Sequence, residues 1–196
     1  MKTIKIMSLI ALTAMLCSCQ PKKFDNPIAQ YVLFMSVQDK QGTDLIDGIE
    51  DNPDVVSGHI NWYPINRELY EYDVVYPDPR MDPRVTSDEY MLQLKLSRLY
   101  DRYYLTFDVF SVLDFCPVAD LLTFKLKCPY IFKDEAVHEI VTSWEKVDLP
   151  LWDDKPANIL KCISMKFDGV EVIPISYDKS EFPEFYGFTV ASVEIE

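Results

Sequence analysis

The stretch ISMKFDGVEV, residues 163–172, decides the fold. It holds two short runs rich in apolar residues, and Asp168 and Gly169 lie between them. An Asp-Gly pair in this position favours a type I′ turn, because the twist of that turn matches the twist of two paired antiparallel strands. The sequence therefore predicts a β-hairpin here and raises the expectation of further strands on either side.

Regular alternation of apolar and polar side chains marks several of those strands. In residues 121–128 the apolar positions are Leu122, Phe124, Leu126 and Cys128, with polar residues between them. A period of two places alternate side chains on opposite faces of a strand. The same period extends over three other segments: residues 90–97, residues 102–109, and residues 137–146, where His138, Ile140, Thr142 and Trp144 share one face.

Three other segments complete the set of expected strands. Residues 31–37, YVLFMSV, form a dense apolar run, residues 70–76 precede a proline-rich turn, and residues 185–195 form the last strand. One conflict concerns residues 86–89, TSDE, which resemble a helix capping box ahead of an apolar run. The residues after them could therefore be helical, but strict alternation of three leucines favours a strand.

Together these segments give eight or nine strands and no convincing long helix. The pattern predicts an all-β fold, namely an antiparallel β-sandwich of immunoglobulin-like or transthyretin-like type. Residues 30–196 are expected to form one domain of this kind, since a chain of this length suits a single core.

The N-terminal residues 1–20, MKTIKIMSLIALTAMLCSCQ, have the features of a targeting signal. Two lysines precede an apolar run over residues 6–16, which spans about 16 Å as a helix, against a hydrocarbon core of roughly 30 Å. The motif Leu16-Cys17-Ser18-Cys19 resembles the lipobox of bacterial lipoproteins. That resemblance implies cleavage before Cys19 and a diacylglyceryl thioether on its sulfur.

This interpretation divides the chain into a signal peptide over residues 1–18, a lipidated cysteine with its tether over residues 19–29, and the β domain. Two alternatives compete with it, a plain secretory signal and an uncleaved membrane helix. Position 20 is glutamine and not the aspartate that retains lipoproteins in the inner membrane, so an outer-membrane location is expected. The membrane face, periplasmic or surface, stays open.

Charge excludes one class of function. The formal net charge of the full chain is −13, and removal of Lys2 and Lys5 with the signal changes it to −15. Such an acidic chain repels phosphate backbones, so nucleic-acid binding is not expected. The expected membrane contact is the lipid on Cys19.

Motifs for catalysis and cofactors are missing from the sequence. It has two histidines, His59 and His138, and no G-x-S-x-G nucleophile elbow. His138-Glu139 begins like a zinc-protease motif, but Thr142 stands where the second histidine is required. The sequence has five glycines, and they do not form the glycine-rich pattern of a phosphate-binding loop. We therefore assign no catalytic residue and no cofactor, and we expect both histidines to be structural.

Two clusters remain as candidate binding sites. Asp39, Asp44 and Asp47 lie in an acidic segment whose oxygens could ligate a hard cation, although the alternative of a solvated acidic loop is stronger. Trp152, Asp153 and Asp154 lie in a turn-like context. There an exposed ring beside carboxylates suits a glycan or a protein partner, although β domains usually bury their aromatic residues.

Three cysteines follow Cys19 in the mature chain: Cys116, Cys128 and Cys162. Export permits disulfides, and Cys116 with Cys128 is the easiest local pair. The alternative, that all three are buried unpaired thiols, stays open.

The lipobox, the segment QDKQGTDLID over residues 38–47 and the hairpin over residues 163–172 together resemble small lipoproteins of unknown function from Bacteroides-type bacteria. The resemblance implies a β-rich cell-envelope domain and carries over no catalytic residue. Surface-exported members often have an acidic run after the lipidated cysteine, whereas this chain has Lys22-Lys23.

The expected function is a lipid-anchored, non-enzymatic envelope protein that binds a glycan or a protein partner, or that serves as an accessory envelope component. A glycan hydrolase with an Asp/Glu pair is the first alternative. An inhibitor or immunity-type protein is the second, and a rigid exposed loop over residues 76–84 would support it.

Overall fold

The computed structural model describes residues 28–49, 62–79, 82, 93–99, 102–112, 119–146, 158–176 and 189–195. These residues are mostly strands, so the all-β class is confirmed. In chain order the strands are β1 (Ile28–Asp39), β2 (Trp62–Pro64), β3 (Glu71–Val75), β4 (Lys95–Leu99), β5 (Arg102–Val112), β6 (Leu121–Lys127), β7 (His138–Lys146), β8 (Asn158–Phe167), β9 (Val170–Val172), β10 (Ile175–Ser176) and β11 (Thr189–Ile195). The helical elements among them are a 3₁₀ turn (Arg67–Leu69) and a four-residue helix, α1 (Pro129–Phe132).

The hairpin between β8 and β9 is confirmed. Phe167 pairs with Val170, and the two turn residues have positive φ angles, 48° at Asp168 and 81° at Gly169. Positive φ at both central positions defines the type I′ turn that an Asp-Gly pair favours.

β1 organises the sheet from its centre. One edge pairs antiparallel with β5, while the other pairs in parallel, first with β8 and then with β11. The main path through the sheet runs β2-β4-β5-β1-β8-β7-β6-β3. The prediction of a purely antiparallel fold is therefore wrong at the parallel pairings β1–β8 and β1–β11, because the strands join in one mixed sheet.

The sheet curls until distant strands meet across a common core. Tyr72 of the edge strand β3 lies with its ring centroid 5.7 Å from that of Phe107 on β5, although four strands separate β3 from β5 along the path. The predicted two-sheet sandwich is not confirmed, since one curled sheet encloses the core instead.

The core contains the apolar faces that the sequence predicts. On β6, Leu122, Phe124 and Leu126 are fully buried, as is Ile140 on β7. Trp144 of β7 is 3% exposed and donates from Nε1 to Oγ1 of Thr142 over 2.7 Å. Truncation of such a buried aromatic side chain to alanine costs about 3–5 kcal/mol.

β1 and β5 are buried on both faces. Val32 and Phe34 of β1 point away from the main core yet are fully buried. On the same face of the sheet the polar side chains pair with one another: Ser97 with Thr106 over 2.5 Å, and Lys95 with Asp108 over 2.8 Å. Buried polar groups need such partners, because an unpaired one costs about 1–3 kcal/mol.

The predicted strand over residues 90–97 is described by the structure only in part. β4 begins at Lys95, inside the predicted strand over residues 90–97, of which residues 90–92 lie outside the described part of the chain. Residues 86–89, which resemble a capping box, also lie outside it. In the described ranges, no helix is both long and apolar enough to cross a membrane.

Candidate functional site

A cavity of about 260 Å³ opens at the C-terminal end of β1. Three segments supply its wall: the last residues of β1, the turn that follows, and the first residues of β5. The lining residues are Ser36, Val37, Gln38, Gly42, Asp44, Asp47, Arg102 and Tyr103. We call this site the β1 cavity.

The turn after β1 is shaped by its own aspartates. Oδ1 of Asp39 accepts hydrogen bonds from the backbone N–H groups of Gln41, over 2.9 Å, and Thr43, over 2.8 Å. These bonds, that of Thr43 first, hold the pKa of Asp39 below its ordinary value. Gly42 has a φ of 80° in the same turn, a conformation that glycine adopts without strain. The carboxylate of Asp39 therefore closes the turn.

Asp44 and Asp47 line the cavity from the segment that follows the turn. Oδ1 of Asp44 accepts from the N–H of Ile46 over 2.9 Å, and Ile46 is fully buried beneath the loop. The hydroxyl of Tyr130, on α1, donates to the backbone oxygen of Asp47 over 3.1 Å. This part of the loop is therefore supported from the core and from α1.

The structure does not bring Asp39, Asp44 and Asp47 together as a group of three candidate metal ligands. Within the described part of the chain, no three His, Cys, Asp or Glu side chains converge on a point where a metal could bind. Asp44 and Asp47 line the β1 cavity, whereas the carboxylate of Asp39 bonds to the N–H groups of Gln41 and Thr43 in the turn.

Three polar side chains of the cavity lack partners among the described residues. The carboxylate of Asp47, the guanidinium of Arg102 and the amide of Gln38 make no hydrogen bond or ion pair with them. Arg102 thus stands more than 4.0 Å from the carboxylates of Asp44 and Asp47, although all three line one cavity. These groups are free to bind water or a ligand.

Tyr103 gives the cavity an aromatic wall. Its side chain is half-buried, and the guanidinium carbon of Arg98 lies 5.7 Å from its ring centroid. Such a cation–π contact helps to fix the position of a ring. The sequence patterns identified Asp44 and Asp47 but gave no signal for Arg102 or Tyr103, because only the pairing of β1 with β5 brings these residues beside the acidic turn.

A second cluster surrounds His138. Nδ1 of its ring lies 2.6 Å from Oδ2 of Asp168, and Nε2 lies 3.2 Å from Oδ1 of Asp134. The ring lies 4.0 Å from that of Phe132 and 5.3 Å from that of Phe167, measured between centroids. We call these five residues the His138 clasp. Each ring nitrogen thus lies within hydrogen-bonding distance of a different carboxylate.

The clasp also ties its aspartates to the backbone. Oδ1 of Asp168 accepts from the N–H of Glu139 over 2.8 Å, and Oδ1 of Asp134 accepts from the N–H of Ala136 over 3.0 Å. The bond to Ala136, followed by the contact with His138, lowers the pKa of Asp134. No serine, threonine or cysteine of the described residues is bonded to His138. The arrangement is that of a structural joint between the β8–β9 turn and the segment before β7.

Both cysteines that the structure describes are buried free thiols. Burial raises the pKa of Cys162 to about 12, and it also raises the pKa of Cys128. This agrees with the alternative of unpaired buried thiols for these two residues. Cys116, the predicted partner of Cys128, lies outside the described residues.

Other predicted positions also fall outside the described part of the chain. They are the lipidation site Cys19, the candidate ligand residues Trp152, Asp153 and Asp154, His59, and four residues of the segment 76–84. These assignments stay predictions.

Comparison of the chain with protein-family models, with curated proteins and with solved structures finds no match. The geometry of the β1 cavity and of the His138 clasp is therefore what bears on function.

Proposed function

We propose that this chain is a lipid-anchored β-domain of the bacterial cell envelope, non-enzymatic, that binds a glycan or a protein partner. The motif Leu16-Cys17-Ser18-Cys19 supports the anchor, and Gln20 supports the outer membrane as its location. Two or three acyl chains on one cysteine suffice for stable anchoring, since each buried CH₂ contributes about 0.8 kcal/mol.

The β1 cavity is the single observation that carries the binding function. It combines a carboxylate, a guanidinium and an amide that lack partners among the described residues with an aromatic wall. Ligand sites are concave, and a few precisely placed polar groups in them fix the orientation of the ligand. Other polar clusters in the described part of the chain are paired within the protein. On the face of the sheet that carries Val32 and Phe34, Lys95 bonds to Asp108 and Ser97 bonds to Thr106. In the clasp, His138 bonds to Asp168.

The position of the cavity suits a ligand outside the membrane. Cys19 precedes the start of β1, at Ile28, by nine positions, whereas the cavity is lined by residues near the other end of that strand. Ten residues of strand separate Ile28 from Gln38, which is about 33 Å at roughly 3.3 Å per residue. The cavity therefore lies at the end of β1 opposite to the end at which the expected tether joins the strand.

The His138 clasp supports the non-enzymatic part of the proposal. A general base must have a free nitrogen near a nucleophile or a substrate. Both nitrogens of His138 face carboxylates, and two phenylalanine rings contact its ring. This histidine is thus engaged in holding two segments together.

A glycan hydrolase is the second candidate, because Asp44 and Asp47 line one cavity beside Tyr103. Such enzymes need one carboxyl group as an acid and another as a base or nucleophile. Oδ1 of Asp44 already accepts a hydrogen bond from the N–H of Ile46, so this oxygen is engaged by the loop itself. Mass spectrometry of oligosaccharides incubated with the protein tests this candidate, and specific cleavage that is lost in Asp47→Asn would establish it.

The anchor is tested by labelling cells with an alkyne-bearing fatty acid. The full chain, expressed in a bacterium with an outer membrane, should incorporate the label and fractionate with that membrane. Cys19→Ser should abolish labelling, whereas Cys17→Ser should leave the lipidation itself intact. Equal labelling of wild type and Cys19→Ser, or no labelling of either, would contradict the proposal.

A further inference from the structure

We infer that the β1 cavity binds an uncharged, hydroxyl-rich sugar unit and discriminates against acidic glycans. This inference rests on the proposed binding function and adds the class of ligand. It follows from which groups line the cavity, from their charges and from the size of the opening.

The cavity groups that lack partners among the described residues supply both kinds of hydrogen bond. The carboxylate of Asp47 only accepts, the guanidinium of Arg102 only donates, and the amide of Gln38 does both. A hydroxyl group also donates and accepts, so neighbouring hydroxyls on one ring can satisfy donors and acceptors at once. Bonds to the charged groups are the stronger ones, because a charged partner shortens and strengthens a hydrogen bond.

Charge argues against an acidic ligand. Among the described residues, the carboxylates of Asp44 and Asp47 and the guanidinium of Arg102 are the charged groups that line the cavity. The formal net charge of the whole chain, −13, repels anions further. An acidic sugar that bonded to Arg102 would still bring its carboxylate towards like charges, and an uncharged sugar avoids that cost.

The same lining argues against a simple cation. Arg102 places a positive charge in the cavity, and Asp39, which would complete a set of three carboxylates, bonds to its own turn. A ligand that uses only the carboxylates would leave the guanidinium and the Gln38 amide without partners. An uncharged polar ligand makes use of all three.

The size of the cavity sets the length of ligand. Its volume of about 260 Å³ lies just below the range of roughly 300–1,000 Å³ that is typical of pockets for drug-sized molecules. One sugar unit, or the end of a chain, fits such a volume better than an extended oligosaccharide. Because the cavity is open, weak binding is expected, with a Kd of the order of 0.1–1 mM.

Isothermal titration calorimetry of the full lipidated chain, purified from membranes in detergent, tests the inference. The probes are uncharged hexose di- and trisaccharides and, for each, the counterpart that carries a uronic acid. The inference predicts binding of at least one uncharged probe, with affinity about tenfold or more above that of its acidic counterpart.

Substitutions then locate the site. Asp47→Asn and Arg102→Gln should each weaken binding about tenfold, since each removes a charged hydrogen-bonding partner. Glu171→Gln is the matched control, because Glu171 is an exposed carboxylate on β9 and does not line the cavity. It should leave the affinity unchanged.

Four outcomes would overturn the inference. They are tighter binding of the acidic probes, unchanged affinity in both cavity variants, loss of affinity in Glu171→Gln, and no binding of any saccharide. If the fatty-acid label on Cys19 is retained in the last case, the anchored envelope function stands with a ligand of another class. If that label is absent, the proposed function itself is wrong.

Discussion

The β1 cavity and the His138 clasp contain similar side chains in opposite states of pairing. Each brings two carboxylates together with a basic group and at least one aromatic ring. In the clasp, His138 bonds to both carboxylates. In the cavity, Arg102 lies beyond ion-pair distance of either carboxylate. The clasp groups thus hold the fold together, whereas the cavity groups are available to a ligand.

The largest effect is expected from His138→Ala. This change removes a ring that contacts Phe132 and Phe167 and leaves Asp134 and Asp168 without their shared partner. We expect the free energy of unfolding to fall by about 2–3 kcal/mol, as for other losses of a buried, bonded group. Urea unfolding followed by circular dichroism measures the change. A decrease of less than about 0.5 kcal/mol in the free energy of unfolding would show that the clasp does not stabilise the fold.

Asp168 offers a sharper test of the same joint. Asp168→Ala removes the acceptor for His138 and for the N–H of Glu139, and it places alanine at a positive φ of 48°. We expect a cost of about 1–2 kcal/mol. Asp168→Asn keeps an oxygen acceptor and a residue that tolerates positive φ, so it should cost less than half as much. Equal losses of stability would show that neither the acceptor nor the turn geometry matters.

Much of the fold could be predicted because its signals are local. The alternation over residues 121–128 specifies a strand, and the Asp168-Gly169 pair specifies a turn, each from a few neighbouring residues. The parallel pairing of β1 with β11 left no such signal, since Ser36 and Ser192, which bond side chain to side chain, are 156 residues apart. A period of two shows which face is buried and does not show which strand lies alongside.

The site was predictable in part for the same reason. Asp44 and Asp47 are close in sequence and stand out as an acidic segment. Arg102 joins them only through the pairing of β5 with β1, for which the sequence has no local marker. The strand pattern did predict a structural role for His138, whereas Asp134 and Asp168 became visible as its partners only once the chain was folded.

Substitutions in the cavity should have little effect on stability. Asp47→Asn and Arg102→Gln remove groups that lack partners among the described residues, so we expect the free energy of unfolding to change by less than about 0.5 kcal/mol. The same urea titrations measure it. A loss comparable to that of His138→Ala would mean that these side chains stabilise the fold and that the contrast between the two regions is false.

The smallest effect concerns acid. The pKa of Asp134 is lowered, first by its bond to the N–H of Ala136, so this carboxylate stabilises the folded state above its ordinary pKa of 3.8. That contribution is lost as the pH falls through the lowered value. We expect the Tm of the wild type to fall more than that of Asp134→Ala between pH 5 and pH 2.5. Parallel decreases in the two proteins would contradict this role.

The most direct test of the contrast is a titration of ¹⁵N-labelled protein with the uncharged saccharide that binds best, followed by NMR chemical shifts of the backbone amides. We predict shifts concentrated in residues 36–47 and 102–103, with the amides of residues 132–139 and 167–169 unchanged. Shifts centred on the His138 clasp, or spread evenly over the sheet, would contradict the assignment of the β1 cavity as the binding site.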